Sequence, residues 1–305
     1  MRIIRDLEQV NLQQPSVVTI GAFDGLHLGH RELLVQLVRQ ARSTQRLSVV
    51  VTFDPLPREV LAPESNMTCL MTIEDKVKLL EAWGLDIAIV LPFTVELSRT
   101  SARDFVQLLC QHLHLTELWV GWDFALGRGR TGDVAALQRF GQAMGFVVHV
   151  VEPVQDGEVV ISSTEIRKLI GAGRVREAAE MLGRYHILKG RVIHGDGRGR
   201  RLGYPTANLD VFSHCAVPAH GVYAVYASFA GTRHSGVANI GIRPTFGPGK
   251  TTIEVHILNF QGQIYGQEMS IEFVDHLRSE RRFANQEALC GQIVEDVARA
   301  REILG

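Results

Sequence analysis

The chain has 305 residues, 46% of them hydrophobic and 21% charged, with a formal net charge of −1. That length suits two domains better than one, and that charge balance gives no electrostatic reason for nucleic acid or an anionic membrane as main partner. No apolar run approaches the roughly 20 residues that span a bilayer, Met1–Glu8 has no signal-peptide core, and Cys69, Cys110, Cys215 and Cys290 form no Cys-x-x-Cys pair. The expectation is a cytoplasmic protein in a reducing compartment, without a zinc site or a disulfide frame. In chain order, strands are predicted at Val17–Ile20, Leu47–Thr52, Ile87–Leu91, Leu118–Val120 and Phe146–Val151. Helices fit between them at Arg31–Arg42, Ile73–Trp83, Ala102–Leu113 and Asp133–Met144, the third opened by a capping-box-like Ser101-Ala102-Arg103-Asp104. Such alternation predicts a parallel sheet with helices on both faces and ligands beyond the carboxyl ends of its strands. The texture changes around Leu182-Gly183-Arg184. Short β-rich runs follow, at Ile187–Ile193, Gly221–Phe229, Gly236–Ile240, Thr252–Leu258 and Met269–Phe273, and then an amphipathic helix at Glu287–Leu304. These predict an antiparallel barrel or sandwich with a C-terminal helix, so the expected domains are 1–183 and 184–305.

The densest signal is Gly21-Ala22-Phe23-Asp24-Gly25-Leu26-His27-Leu28-Gly29-His30, between a buried strand and an amphipathic helix. A glycine-punctuated turn at a helix start aims backbone N–H groups at an anion, which the helix dipole favours. His27 and His30 stand one helical turn apart, so both can face that anion and stabilise charge in transfer at phosphorus. Thr52–Pro57 follows the second predicted strand and rims the same cleft. Gly121–Gly127 follows the fourth and runs into Arg128–Asp133, a flexible basic loop able to close over phosphates. Ser162-Ser163-Thr164-Glu165-Ile166-Arg167 offers hydroxyls, early helical N–H groups and a guanidinium, a set suited to a leaving pyrophosphate. In the second half, Gly195-Asp196-Gly197-Arg198-Gly199-Arg200-Arg201 leads to Pro205-Thr206-Ala207-Asn208. A Gly/Arg loop beside Thr and Asn suggests a phosphate flap next to hard oxygen ligands for Mg²⁺. Read alone, Glu254 is a solvent-facing strand residue and the arginines a solvated face. Gly249-Lys250-Thr251 mimics the end of a P-loop, but its first glycine is Pro244 and a strand follows, so it is read as a hairpin turn.

The Gly21–His30 run resembles the signature of the bacterial FAD synthetases, a branch of the nucleotidylyltransferase superfamily. Thr52–Pro57, Gly121–Gly127 and Ser162–Arg167 stand at the matching places. Two positions depart from the pattern: Leu56, where the family often has His, and Leu126, where it often has an aromatic. Pro205–Asn208, Val237–Phe246 and Ile253–Leu258 resemble the riboflavin kinase barrel. The resemblance implies an α/β nucleotidylyltransferase domain with a Rossmann-like parallel sheet, joined to an antiparallel β-barrel kinase domain with a C-terminal helix. It implies phosphorylation of riboflavin to FMN by ATP, then adenylylation of FMN to FAD with release of pyrophosphate. Carried over residue by residue, it makes Glu254, His27 and His30 catalytic. Nucleotide contacts fall to Gly21, Phe23, Asp24, Gly25, Gly29, Ser162, Ser163, Thr164, Arg167, Gly195, Arg198 and Gly199. Flavin contacts fall to Phe53, Asp123, Phe124, Asn239 and Arg243, and Mg²⁺ to Thr206 and Asn208. Small molecules are then the expected partners, with no nucleic acid and no membrane, and with oligomeric state open. Two other readings stand beside this one. A nucleotidylyltransferase for nicotinate mononucleotide, phosphopantetheine or a polyol phosphate would have no use for the Pro-Thr-Ala-Asn barrel. A flavin- or RNA-binding regulator would have no reason to keep His27, His30, Thr206, Asn208 and Glu254 together.

Overall fold

The computed structural model describes residues 1–65, 68–195, 197–212, 214–242 and 251–305. The chain divides into two compact units, Met1–Ser162 and Ser163–Gly305.

The first unit is built on β1 (Arg2–Ile4), β2 (Ser16–Ile20), β3 (Leu47–Phe53), β4 (Ile87–Leu91), β5 (Leu115–Gly121) and a later strand, Val147–Val151. Between the last two lie β6 (Ala125–Leu126) and β7 (Gly132–Asp133), a small antiparallel pair, so the Val147–Val151 strand is β8. The sheet order is β1-β4-β3-β2-β5-β8 and every pairing is parallel. β1 was not among the expected strands; at three residues it is too short to show a period. The chain winds outward from β2 through β3 to β4, then returns to place β5 on the other side of β2. The switch point therefore lies between β2 and β5, and in open α/β sheets ligands bind outside the carboxyl ends of the strands at such a point.

Helices α1 (Leu28–Ser43), α2 (Pro57–Leu61), α3 (Ile73–Ala82), α4 (Val95–Ser98), α5 (Ala102–Leu113) and α6 (Val134–Met144) connect these strands. Alternate strand residues feed two separate cores, as the period of a strand requires. Val17, Val50 and Ala88 pack with Leu33, Leu34, Leu37 and Val38 of α1 and Leu80 of α3. Val18, Ile20, Val49, Val51, Ile87 and Ile89 pack on the other face with Phe105, Val106 and Leu109 of α5 and Leu137 of α6. Both faces are covered, so these strands read as unbroken apolar runs. The expected cap of α5 is present: Ser101 Oγ accepts the Asp104 N–H at 3.1 Å and donates to its carboxylate at 2.6 Å. A hairpin, β9 (Gln155–Asp156) with β10 (Val159–Val160), closes this unit.

The second unit opens with α7 (Ser163–Gly171) and α8 (Val175–Leu182). A closed barrel follows, made of β11 (His186–Ile193), β12 (Ala207–Val211), β13 (Gly221–Phe229), β14 (Thr232–Ile242), β15 (Thr251–Ile257) and β16 (Glu268–Ser279), with a short α9 (Arg198–Arg201) after β11. The barrel order is β11-β12-β15-β14-β13-β16, and all its pairings are antiparallel. β12 was not among the expected strands. The C-terminal helix α10 (Gln286–Leu304) lays Ala300 and Leu304 on Val222, Ala224, Val237 and Val274. It is pinned by the fork of Arg278 on Asp296, with contacts of 2.9–3.0 Å.

Helix α8 packs on α7, β11 and β16, burying Val175, Ala178, Met181 and Leu182, and Arg176 reaches Asp275 at 2.6 Å. A fragment of residues 163–305 should therefore be more stable than one of 184–305, by roughly 3–6 kcal/mol for the apolar area uncovered. Urea unfolding of the two fragments checks this, and equal midpoints would mean that α8 is a passenger.

At the start of β11, His186 is 1% exposed and its Nε2 donates to the Ala216 carbonyl at 2.6 Å. Burial pushes this imidazole down from 6.5 to about 4. Its folded value lies below the unfolded one, so the stability it lends is present above about pH 6.5 and lost as pH falls toward about 4. The loss should approach roughly 3 kcal/mol. Urea unfolding at pH 7 and pH 4.5 should show it, and His186→Gln should flatten the difference. An undiminished acid loss in that variant would assign the effect to other groups.

Candidate active sites

In the first unit the turn after β2 carries Gly21 to His27, at the switch point. Its backbone is unusual: Phe23, Gly25 and Leu26 have φ of 46°, 79° and 41°. For Phe and Leu that left-handed region costs about 1–2 kcal/mol each, so surrounding contacts must impose it. Phe23 and Leu26 supply some of them, both being buried in the α1 core. Asp24, 3% exposed, accepts the Leu70 N–H at 2.8 Å.

Helix α1 starts at Leu28, three residues before the predicted start, because His27 is its N-cap. The His27 Nδ1 accepts the His30 N–H at 3.4 Å, a task usually left to Ser or Asp. The two imidazoles stack with centroids 3.6 Å apart and planes 22° apart, and Phe23 meets His30 edge-on at 5.2 Å. Gly29 lies close against this stack: a Cβ there would lie 3.2 Å from two atoms of the His27 ring, which would have to shift by a few tenths of an ångström. His27 is 6% exposed and His30 half-buried, so packing restricts both rings.

Phe53 ends β3 and meets Phe93 edge-on at 5.4 Å. Leu56 is buried at the start of α2, its N–H donating to the Glu59 carboxylate at 2.6 Å. Beyond β5, Asp123 is exposed and Phe124 half-buried on the β-sheet core, with Arg130 donating to the Asp123 carbonyl at 3.2 Å. Leu126 is half-buried on that same core. Ser162 ends the first unit, and Ser163, Thr164 and Arg167 lie in the first turns of α7, in the second unit.

In the barrel, register brings three distant residues into one row. Asn208 of β12 pairs directly with Glu254 of β15, which pairs directly with Asn239 of β14. Directly paired residues project to the same face. Ile253 and Val255, on either side of Glu254, are buried, so the row faces outward from the barrel core. Thr206, one residue before β12, donates its hydroxyl to the Glu254 carboxylate at 3.2 Å. The Gly/Arg loop lies over this row: a side chain at Gly195 would collide with the Asn208 amide, and Gly199 packs against Thr206. Arg198 begins α9. Arg243 and the Gly249-Lys250 pair lie outside the described residues.

Two groups in these sites escaped the motif reading. Lys76 of α3 lies beneath the Gly21–His27 turn, with its Nζ donating to the Ala22 carbonyl at 2.8 Å. Its signal was present, because position 76 falls three residues after Ile73 and four before Leu80, on the apolar stripe. His256 stands two residues after Glu254 on the same face, its Nδ1 2.9 Å from the Pro205 carbonyl, and meets Tyr204 edge-on at 5.4 Å. It holds the peptide that precedes Thr206.

Residues 9–165 match the FAD synthetase family and residues 182–304 the riboflavin kinase family. The bifunctional riboflavin kinase/FMN adenylyltransferase of Escherichia coli K12 is 36% identical over 309 aligned residues, covering 100% of this chain and 98% of that protein. The chain belongs to this bifunctional family. The protein of the same name from Pseudomonas fluorescens is 38% identical, covering 99% of this chain and 98% of its own. A solved structure described as a macrolide-efflux protein from Streptococcus pneumoniae is 29% identical, with a TM-score of 0.91 and 98% of each chain covered. Among the described residues no helix is long and apolar enough to cross a membrane. The bifunctional family's two parts fall on the parallel-sheet unit and the barrel, each with its own constellation, His27–His30 on one and Thr206–Asn208–Glu254 on the other.

Proposed function

We propose that this chain makes FAD from riboflavin in two steps, residues 184–305 phosphorylating riboflavin and residues 1–183 transferring AMP from a second ATP onto FMN. The observation that carries this reading is the barrel row. A carboxylate from β15 meets a hydroxyl and an amide from the start of β12 beside a Gly/Arg loop, in the same chain as a stacked histidine pair at a switch point.

In the first step Glu254 accepts the proton of the ribityl 5′-hydroxyl as that oxygen attacks the γ-phosphorus of ATP, and ADP leaves. An alcohol is a weak nucleophile at neutral pH, so a placed carboxylate helps. The donor set also fits Mg²⁺, which favours hard oxygens and keeps much of its shell for water and phosphate. Thr206 donates its hydrogen to Glu254 and so keeps its lone pairs for a cation. Held by Thr206 and Asn208, the ion would offset charge on the ATP phosphates. Gly195, Arg198 and Gly199 cover the phosphates, and Asn239 and Arg243 contact the flavin.

In the second step the FMN phosphate oxygen attacks the α-phosphorus and pyrophosphate leaves. The nucleophile is already an anion, so no base is needed. His27 and His30 stabilise the charge that builds on the α-phosphoryl oxygens. Gly21, Phe23, Asp24, Gly25 and Gly29 shape the nucleotide's seat, and Ser162, Ser163, Thr164 and Arg167 hold the leaving pyrophosphate. Phe53, Asp123 and Phe124 line the flavin side. We place the reaction in the cytoplasm, where ATP is made available, with small molecules as its partners.

One incubation with riboflavin, ATP and Mg²⁺, followed by chromatographic separation of FMN and FAD, tests the reading. FMN should rise first and FAD follow, with one pyrophosphate released per FAD. Absence of both flavin nucleotides would overturn it, and FMN without FAD would remove the second step.

A further inference from the structure

We propose that Lys76 is a positioning residue for AMP transfer: its buried ammonium ties the turn that presents His27 and His30 to the end of β3, and its protonation sets the alkaline limit of that step. The inference rests on the reading of the first unit given above. Lys76 is 2% exposed, and a lysine is rarely buried so fully without a partner. Here three elements meet at its end. The ammonium donates to the Ala22 carbonyl at 2.8 Å and to Thr52 Oγ1 at 3.4 Å. Thr52 in turn donates to the same Ala22 carbonyl at 3.1 Å. One carbonyl at the start of the strained turn is thus held from β3 and from α3 together. The left-handed Phe23 and Leu26 follow directly, and their conformation places His27 at the helix cap.

The groups facing this ammonium are Asp24 from the turn, Asp54 beyond β3, Glu59 from α2 and Cys69. Burial pulls Lys76 below the ordinary 10.5, while Asp24 and Asp54, followed by Cys69 and Glu59, act to raise it. Loss of its proton removes the positive charge on which Asp24 and Asp54 act and weakens the hold on Ala22. The sign separates this from simple unfolding. Because the folded value is lowered, the unfolded chain binds the extra proton between that value and 10.5. Lys76's own contribution to stability therefore rises with pH across the window in which AMP transfer should fall.

The test uses the full chain and both reactions. Lys76→Met keeps the apolar stem and removes the charge. It should lower kcat for FAD formation from FMN about 10²-fold, the cost of misplacing reacting groups by about an ångström. KM for ATP should move far less, and riboflavin phosphorylation should be unchanged. Lys76→Arg should recover part of the loss. In the unsubstituted protein, FAD formation should fall at alkaline pH, below the ordinary lysine value of 10.5, while phosphorylation does not, and that fall should vanish in Lys76→Met. Wild-type kcat in Lys76→Met would overturn the inference, as would an alkaline fall that survives the substitution. Should Lys76→Met fail to fold, Lys76→Arg decides: an alkaline limit moved upward supports the inference and an unmoved one overturns it. Failure of the unsubstituted chain to make FAD from FMN would instead defeat the underlying reading.

Discussion

Replacing His27 or His30 with alanine should nearly abolish FAD formation and leave FMN formation intact. Both imidazoles sit at the carboxyl end of β2, stacked 3.6 Å apart, where charge on the α-phosphoryl group would build. Loss of one such donor costs about 10²–10³ in rate, or about 2.7–4 kcal/mol. The two variants should differ in stability. His27 also caps α1, so His27→Ala should lose a further ~1 kcal/mol of folding stability. His30 contributes its backbone N–H to that cap, and alanine keeps it. Measuring AMP transfer, riboflavin phosphorylation and thermal unfolding on the same preparations separates these effects. Parallel loss of both activities in a folded variant would defeat the two-site assignment.

Glu254→Gln should produce the opposite enzyme, with little FMN made from riboflavin but normal FAD made from supplied FMN. Removing a general base typically costs about 10²–10⁴-fold. Glutamine keeps an acceptor oxygen for the Thr206 hydroxyl and an unchanged place in the row between Asn208 and Asn239. The barrel should therefore unfold at the same urea concentration as before. Near-normal phosphorylation by this variant would make Glu254 a strand residue that only supports Thr206. Together the two substitutions dissect one chain into two independent reactions, each serving as the folding control for the other.

What the sequence determined by itself was whatever depends on local spacing. Val17–Ile20 had to be a buried strand, because an unbroken apolar run of that length fits a sheet covered on both faces. The apolar stripe from Leu33 to Ala41 had to be a helix, and the glycine-rich turn between them had to carry the histidines. Ser101 and Asp104 marked a helix start because a capping box is a four-residue pattern. The motifs after β3 and β5 fell at strand ends for the same reason. The change in texture near Leu182 marked where the barrel strands begin, at β11.

Only the tertiary structure decided what depends on distant residues meeting. Asn208, Glu254 and Asn239 form a row because barrel register pairs them across chain separations that no local pattern encodes. β1 is a strand because β4 offers it an edge, and β12 because β11 and β15 flank it. Helices α7 and α8 read as a continuation of the alternating domain, yet α8 buries Val175, Ala178, Met181 and Leu182 and packs on the barrel strands β11 and β16. Hydrophobic periodicity says that a face is buried but not against which partner. Lys76 shows the same boundary from the other side. Its place on an apolar stripe was visible in the sequence. That its ammonium would find the Ala22 carbonyl 54 positions earlier, and so make burial of a charge tolerable, was settled by the packing of α3 beneath the turn.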